Sequence, residues 1–349
     1  MRSDPKAIAW RILAGLYVAS GMGRIRHRGR VVILTYHRVV SDHMVMDEHI
    51  QPGMYVRGQS FEAHVAYLRK RFTIIALDEL LDLWQTSRLK RDQSYCVITF
   101  DDGWQDNYQF AFPVLAKYHV PATIFLATDF IGTARWFWPD QMMFLLEKCR
   151  QHTTGVADQR SFSTALEETV GVTLSAADGI FRRVETGAPV DPDAIIEFCK
   201  GVEVSSIHQI IDRLSRALHV ELPTHRVLLN WDEVREMAGK GVTFGSHSGS
   251  HRILTQISLS AVKKELVDSR KTMLEQGIKP VPVFCYPNGN FDRDIQELVR
   301  ESGYLAAVGC EVGLEPDRPK DLFALKRISV HEDRSASVPL LALTLSGFR

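Results

Sequence analysis

The chain has 349 residues, of which 45% are hydrophobic and 24% are charged, values typical of a globular protein. Lysine plus arginine equals aspartate plus glutamate, 42 of each, so no bulk charge predicts a nucleic-acid partner. The length suits two domains, or one α/β barrel of about 250 residues that carries an insertion.

The N-terminal segment, residues 1–30, joins an apolar stretch to a basic cluster. Residues 7–22 are mostly apolar, but Arg11 interrupts them and the run is shorter than the roughly 20 residues of a membrane span. A signal peptide is only weakly indicated, because no clear cleavage site follows. The segment either packs on the outside of the domain, the commoner case, or lies on an anionic membrane surface.

Short apolar, β-rich runs alternate with helical patterns, which predicts βα units and a parallel sheet. The predicted strands are Val31–His37, Phe72–Ile75, Tyr95–Phe100, Ala122–Ala127, Val242–Ser246, Val283–Tyr286, Tyr304–Val308 and Ala324–Val330. The predicted helices between them are Phe61–Arg71, Leu77–Thr86, Asn107–Tyr118, Ser260–Glu275 and Asp292–Ser302. Seven or eight such units predict a closed or partly closed barrel, in which catalytic groups gather at the C-terminal ends of the strands.

The alternation fails between about residues 138 and 224, where no convincing strand occurs. Four helical stretches are predicted there: Gln141–Arg150, Ser161–Val170, Ala194–Lys200 and Ser206–His219. We interpret this region as a helical insertion on the catalytic face of the barrel. The chain then divides into an N-terminal segment (1–30), a first barrel part (31–137), the insertion (138–224) and a second barrel part with the C-terminal tail (225–349).

Five cysteines are dispersed along the chain without a Cys-x-x-Cys pair. They are Cys96, Cys149, Cys199, Cys285 and Cys310. An odd, scattered set is typical of reduced thiols rather than of a disulfide framework. We therefore expect a cytoplasmic protein, at the membrane periphery if the N-terminal segment attaches there.

Two segments at strand ends carry metal-binding side chain types. In Thr-Phe-Asp-Asp-Gly, Asp101 and Asp102 follow a buried strand, and Gly103 permits a sharp turn that exposes them, although a helix N-cap is the alternative. In His-Ser-Gly-Ser-His, His247 and His251 lie four apart in a loop of small residues. Two imidazoles and one carboxylate make a three-ligand site for a divalent metal with open positions.

Two further strand ends carry weaker signals. Tyr286-Pro287-Asn288-Gly289 is a turn signal, and a backbone N–H held there can point at a developing oxyanion or can belong to a merely structural turn. His37, in Tyr-His-Arg-Val at the end of the first predicted strand, is either a hydrogen-bonded core residue or an acid.

These motifs, in this order, resemble the polysaccharide deacetylases of carbohydrate esterase family 4, the NodB-like deacetylases. The likeness covers about residues 31–127 and 231–330. It implies an α/β fold, a distorted (β/α)7-type barrel, here with the helical insertion. The opening Tyr-His-Arg-Val and the later Phe-x-Tyr-Pro-x-Gly resemble the branch that acts on exopolysaccharides and surface glycans during their biosynthesis.

The resemblance also implies a role for each motif residue. Asp101 is the general base, and Asp102, His247 and His251 hold a divalent metal, usually Zn²⁺. The Tyr286 amide helps to stabilise the oxyanion. His37 or His331 protonates the leaving amine, and the opening motif favours His37. The expected reaction removes an acetyl group from an N-acetylated glycan or polysaccharide, which releases acetate and a free amino sugar.

Three departures from the family pattern matter. Cys285 occupies the position where the common third motif carries an arginine that orients the base, and the sequence shows no substitute. The late Leu-x-His motif is only loosely met by Ile-Ser-Val-His, which ends at His331. Trp136 and Trp138 open the insertion, where they can stack on a sugar ring or form the insertion's hydrophobic foot. Pro287 and Asn288 complete the residues expected to line the substrate.

Two other functions use similar residues. A non-catalytic sugar-binding module on a decayed barrel would require a broken metal triad, whereas the triad here is intact. A non-haem iron oxygenase also uses two histidines and one carboxylate, but its usual fold is a β-sandwich and not a series of βα units.

Overall fold

The computed structural model describes residues 5–47, 50–51, 53–152 and 192–347. They form two compact units. The barrel unit comprises residues 1–46, 52–133 and 226–349, and the insertion unit comprises residues 134–225 with the short segment 47–51.

Ten strands occur in the described residues. In chain order they are β1 (Val31–Tyr36), β2 (Arg38–Val40), β3 (Tyr55–Arg57), β4 (Thr73–Ile74), β5 (Tyr95–Phe100), β6 (Ala122–Leu126), β7 (Val242–Ser246), β8 (Val283–Cys285), β9 (Ala306–Val312) and β10 (Leu325–Ser329). Seven of them close a parallel barrel in the ring order β1, β5, β6, β7, β8, β9, β10, because β1 pairs with both β5 and β10. β4 pairs with the start of β5, and β2 pairs with β3 in a separate small sheet.

Fourteen α-helices occur in the same residues. They are α1 (Pro5–Ser20), α2 (Met22–His27), α3 (Asp42–Asp47), α4 (Gly58–Arg71), α5 (Leu77–Gln85), α6 (Phe112–Tyr118), α7 (Trp138–His152), α8 (Pro192–Cys199), α9 (Val204–Leu218), α10 (Trp231–Ala238), α11 (Leu259–Glu275), α12 (Arg293–Glu301), α13 (Glu332–Ser335) and α14 (Val338–Thr344). A π-helical turn, Asn107–Ala111, precedes α6. No helix of the described residues is both long and apolar enough to cross a membrane.

The barrel interior changes character along its axis. Alternate residues of a strand point to the same side, so Val97, Thr99 and Asp101 share the inner face. Toward the N-terminal ends of the strands the interior is apolar and includes Ile33, Val97, Phe125, Val283, Val308 and Leu325. Toward the C-terminal ends of the strands polar groups replace these side chains, beginning with Thr35, Thr99 and Arg327, which are all buried. The fold therefore places a buried polar layer inside the barrel, next to the expected site at the C-terminal ends of the strands.

Local side-chain chemistry fixes the start of several helices around the barrel. The Asn230 side chain accepts a hydrogen bond from the Glu233 amide, and the Glu233 side chain accepts one from the Asn230 amide, which forms a capping box for α10. Ser258 and Asp292 accept hydrogen bonds from backbone amides in the first turns of α11 and α12.

The fold class predicted from the sequence is confirmed. All eight predicted strands occur, with ends that differ by at most four residues. The predicted helices of the insertion at 141–150, 194–200 and 206–219 occur as α7, α8 and α9, and the one predicted at 161–170 lies outside the described residues. The sequence did not predict the β2–β3 sheet, α10 or the two short C-terminal helices. Which face of the barrel the insertion covers stays a prediction.

Candidate active site

The expected catalytic residues lie at the C-terminal ends of the barrel strands. Asp101 and Asp102 follow β5, His37 follows β1, and His247 follows β7. Cys285 is the last residue of β8. Because all these strands are parallel members of one ring, their side chains meet at the same end of the barrel.

The turn after β5 holds Asp102 in an unusual conformation. Asp102 has φ 74° and Gly103 has φ 82°, both in the left-handed region. A side chain at Gly103 would come within 2.7 Å of the Leu126 Cδ2 atom, so only glycine fits there. Non-glycine residues at positive φ carry strain that often marks functional sites. The indole of Trp104 donates a hydrogen bond of 2.9 Å to Asp102 Oδ2, which leaves Oδ1 for other partners.

Asp102, His247 and His251 converge. Asp102 Oδ1 lies 3.4 Å from His247 Nε2 and 3.2 Å from His251 Nε2. The three ligand atoms all lie within 4.8 Å of one another. Burial raises the pKa of Asp102, but hydrogen bonds with His247 and His251 outweigh it and hold that pKa well below its usual value. The carboxylate therefore stays ionised, as a metal ligand must be.

The surroundings orient His247 for the same purpose. Its Nδ1 atom lies 2.8 Å from the carbonyl oxygen of Cys285. Because a carbonyl can only accept, Nδ1 carries a proton, and Nε2 is the nitrogen directed at Asp102, which can bind a metal once it gives up its own proton. A metal-ligating histidine typically donates its other ring N–H to a carbonyl or a carboxylate in this way.

Glu265 of α11 holds the loop between the two histidines. Its carboxylate accepts hydrogen bonds of 2.8 Å from the amides of Gly249 and Ser250, and one of 2.5 Å from the Ser250 hydroxyl. At the end of the loop His251 has φ 57°, and its amide donates to the Ser248 hydroxyl at 3.0 Å. These bonds fix a loop made of small residues that would otherwise have many conformations.

Arg327 of β10 orients Asp101, the role for which the sequence showed no residue. Its guanidinium donates two hydrogen bonds of 2.7 Å to the two carboxylate oxygens of Asp101, and the side chain is 1% exposed. Its Nε atom donates to the Gly309 carbonyl at 2.9 Å. The Cys285 sulfur lies 3.4 Å from the guanidinium. The arginine absent from the position of Cys285 is therefore replaced by one from another strand.

This ion pair sets the protonation of Asp101. Burial pushes the pKa of Asp101 upward, but the charge and hydrogen bonds of Arg327 outweigh burial and lower it to about 2. Arg327 was missed because its partner is far away along the chain. One signal was present: an arginine within a strand predicted to be buried requires a carboxylate partner.

A second cluster of possible ligands, Asp101, His247 and Cys285, also lies within 4.8 Å. The possible ligand atoms of this cluster already have other partners. Asp101 is paired with Arg327, and Nδ1 of His247 is bonded to a carbonyl. Burial also raises the pKa of Cys285, whereas a metal requires the thiolate. The set of Asp102 with two histidines therefore fits a divalent ion better.

The two histidines expected as acids occupy different settings. His37 is half-buried; burial lowers its pKa, and the carboxylates of Asp102 and Asp101 act in the opposite direction. It therefore lies within electrostatic reach of both aspartates. His331 follows β10, and its Nδ1 atom is bonded to the Asp333 carboxylate. The charges of the aspartate pair therefore act on His37.

Tyr286 requires a correction. Its amide donates a hydrogen bond of 3.2 Å to the Val308 carbonyl, and its hydroxyl donates one of 3.1 Å to the Phe323 carbonyl. The residue is fully buried. Because the N–H already has an acceptor in the pairing of β8 with β9, the expected role of this amide in binding an oxyanion is wrong. Pro287 has no N–H, so the next amide of the turn belongs to Asn288, which is exposed and has φ 56°.

The two tryptophans have partners within the insertion unit. The Trp136 indole donates a hydrogen bond of 2.9 Å to the His225 carbonyl, and its ring meets Phe144 edge-on. Trp138 packs against the core of α7, α8 and α9. These contacts favour the interpretation of the segment as the insertion's hydrophobic foot, and a role in sugar binding stays a prediction.

Comparison with known proteins places these motifs in one family. The family model described as polysaccharide deacetylase matches residues 88–156 and 209–307. The Bacillus subtilis protein YxkH, named after the same family, is 21% identical over 308 residues, which are 88% of this chain and 74% of that protein. The poly-β-1,6-N-acetyl-D-glucosamine N-deacetylase of Staphylococcus epidermidis is 34% identical over 82 residues, 23% of this chain and 28% of that protein.

One solved structure shows the same fold over nearly the whole chain. The Streptococcus pyogenes deacetylase PplD, determined in complex with acetate, superposes with a TM-score of 0.55. The match covers 92% of this chain and 99% of that one, at 16% identity. Arg327 lies beyond the residues that the family model matches.

The Arg327–Asp101 pair generates a testable prediction. In an Arg327→Gln variant, the burial of Asp101 is no longer opposed by the charge and hydrogen bonds of Arg327, so its pKa should rise from about 2. Infrared spectroscopy during an acid titration should then show the protonated carboxyl band at a higher pH than in the unmodified protein. Asp101→Asn in the same background should remove that band and so assign it.

Arg226→Gln is the matched control, since Arg226 forms a partly buried ion pair with Glu233 on another part of the barrel unit. It should leave the titration of Asp101 unchanged. An Arg327→Gln protein in which the band of Asp101 does not move would show that Arg327 does not set its pKa.

Proposed function

The chain belongs to the polysaccharide deacetylase family, a family of carbohydrate deacetylases that are hydrolases, and we propose that it is a metal-dependent N-deacetylase. The observation that carries the proposal is the convergence of Asp102, His247 and His251 beside an ionised Asp101. The proposed substrate is an N-acetylated amino sugar of a polysaccharide or of a glycan precursor. A relative that is named as acting on poly-N-acetylglucosamine supports this choice.

The residues present fit a divalent ion, and we propose Zn²⁺. Two imidazole nitrogens and one carboxylate oxygen form a ligand set that suits zinc and leaves positions open. When bound, the ion supplies a Lewis acid that polarises an amide carbonyl and acidifies water. Asp102, His247 and His251 would hold it, with Asp102 oriented by the Trp104 indole and His247 by the Cys285 carbonyl.

Asp101 is suited to accept the proton of the attacking water. One of its carboxylate oxygens lies within 4.8 Å of a ring nitrogen of His247, which also belongs to the ligand set. Arg327 keeps Asp101 ionised and fixes both of its oxygens. A pKa of about 2 makes Asp101 a weak base, so it acts on a water whose proton is already loosened.

His37 is the proposed acid for the leaving nitrogen. Cleavage of the C–N bond leaves an amine that must gain a proton. Burial lowers the pKa of His37, which makes its imidazolium a stronger acid but leaves less of it at neutral pH. The nearby carboxylates partly restore the protonated form. For the oxyanion we propose the Asn288 amide in place of the Tyr286 amide.

The rival functions lack support from this geometry. A decayed, non-catalytic sugar-binding barrel would have lost ligands, whereas the three donors converge here. An oxygenase with two histidines and one carboxylate would normally sit on a β-sandwich, whereas these residues lie on a (β/α)7 barrel.

Acetate release tests the function directly. Protein stripped with a chelator should release no acetate from N-acetylglucosamine oligomers, and added Zn²⁺ should restore release. Asp101→Asn should keep metal binding but lose about 10²–10⁴-fold in rate, because an amide is a poor base. It should also be less stable, because Arg327 is left buried without a carboxylate.

The Asp101→Asn/Arg327→Met double variant separates stability from catalysis. It removes both charges, so stability should recover while acetate release stays lost. Release by the chelated protein at the rate of the zinc-loaded one, or near-normal release by Asp101→Asn, would refute the proposed mechanism.

The choice between His37 and His331 has its own test. An activated acetyl ester has a good leaving group that needs little protonation, whereas an N-acetyl group needs full protonation of its nitrogen. His37→Ala should therefore slow acetate release from the amide far more than from the ester, and His331→Ala should affect the two substrates equally. Equal slowing of both substrates by His37→Ala would move the role to His331 or to water.

A further inference from the structure

Helix α1 is apolar on two opposite sides, and the protein covers only one of them. Ala14 and Tyr17 are buried against Ala342 and Leu343 of α14. On the opposite side a stripe at four-residue spacing, Ile8, Ile12 and Leu16, is 43–64% exposed. A helix that is apolar all round is normally buried on all sides, so the outer stripe requires an occupant.

The exposed apolar surface is concentrated in this segment. Of the eleven large hydrophobic side chains that are exposed in the described residues, seven lie between positions 8 and 25. They are Ile8, Trp10, Ile12, Leu13, Leu16, Met22 and Ile25. A cluster of this kind marks an interaction surface, whereas single exposed side chains need no explanation.

The positive charge of the segment favours an anionic partner. Residues 5–30 contain six lysines and arginines and no aspartate or glutamate, although the whole chain is balanced at 42 of each sign. Arg28 and Arg30 are exposed beside the apolar residues of α2. Apolar side chains with basic neighbours fit the interface of an anionic bilayer, which attracts cations and accepts apolar groups.

A cavity of about 320 Å³ lies at the C-terminal end of α1 and along α2, on the side of α1 that carries Tyr17. Tyr17, Arg28, Tyr67, Lys70 and Arg71 are among its lining residues, and Asp92 is the one carboxylate among them. Tyr17 is 5% exposed, and its hydroxyl has no hydrogen-bond partner among the described residues. This hydroxyl is therefore available to a group bound in the cavity, since buried donors are normally paired.

The cavity is separate from the catalytic site. Its lining residues Arg28, Phe72 and Ser94 come just before β1, β4 and β5, so the cavity lies at the N-terminal end of the barrel. Asp101 and the histidines lie at the other end. A ligand with oxygen acceptors and negative charge would suit a hydroxyl donor flanked by lysine and arginine, and a phosphate group has both properties.

We propose that α1 and α2 attach the protein to an anionic phospholipid bilayer, with the apolar stripe in the interface and a lipid phosphate in this cavity. The attachment directs the catalytic end of the barrel away from the membrane surface. The proposal does not depend on the metal site or on the reaction.

Vesicle co-sedimentation of the full chain tests the attachment. The protein should bind vesicles of phosphatidylcholine with phosphatidylglycerol, bind those of phosphatidylcholine alone weakly, and lose binding as salt is added. Ile12→Ser/Leu16→Ser should lower the affinity at least about tenfold, because two apolar side chains leave the interface. Val267→Ser/Leu274→Ser is the matched control, since these two exposed side chains lie on α11, and it should bind normally.

A second pair of variants tests the cavity. Tyr17→Phe removes only the hydroxyl, so it should lower vesicle affinity about three- to tenfold while leaving the unfolding temperature unchanged or slightly raised. Lys70→Ser/Arg71→Ser should lower the affinity about tenfold. Lys263→Ser/Lys279→Ser changes two exposed lysines elsewhere and should have no effect.

Three results would overturn the proposal. The first is equal binding of anionic vesicles by the unmodified chain and by the stripe variant, or no binding at low salt. The second is a dimer that Ile12→Ser/Leu16→Ser converts to monomers, because a second copy would then cover the stripe. The third is stabilisation by free glycerol phosphate that Tyr17→Phe abolishes, without vesicle binding, because the cavity would then hold a soluble phosphate.

Discussion

Two neighbouring carboxylates are buried at the end of one strand, and each needs its own compensating charge. Asp101 and Asp102 are both 3% exposed. An unpaired carboxylate at this depth would cost several kcal/mol or would take up a proton. Arg327 compensates Asp101, whereas two histidines, and the proposed ion, compensate Asp102. These different partners explain why Asp101 is suited to act as the base and Asp102 as a metal ligand.

The closed barrel is what brings the partners together. β1 lies between β5 and β10, so Arg327 reaches Asp101 across β1 within the barrel interior. Between them Thr35 donates to Asp101, and Thr99 lies 3.3 Å from the guanidinium. This enclosed polar layer excludes water and strengthens the ion pair. If the ring were open between β1 and β10, Asp101 would be buried without its cation.

The sequence predicted the barrel well because buried parallel strands are nearly continuous apolar runs that stand out from amphipathic helices. It also predicted which segments meet at the site, since parallel strands share one C-terminal end. It could not predict partners that depend on strand order and register. Arg327 and Asp101 are 226 residues apart, and only the order of the ring makes them neighbours. The pairing that engages the Tyr286 amide with Val308 likewise depends on register, so that expectation was wrong.

The identity of the metal ligands is the central claim, and X-ray absorption spectroscopy of the zinc-loaded protein tests it most directly. Coordination by Asp102, His247 and His251 predicts only nitrogen and oxygen neighbours at about 2.0–2.2 Å, with the scattering pattern of two imidazoles. Cys285→Ser should leave that spectrum unchanged. A sulfur neighbour at about 2.3 Å that disappears in Cys285→Ser would instead place the ion on Asp101, His247 and Cys285, and would contradict the account.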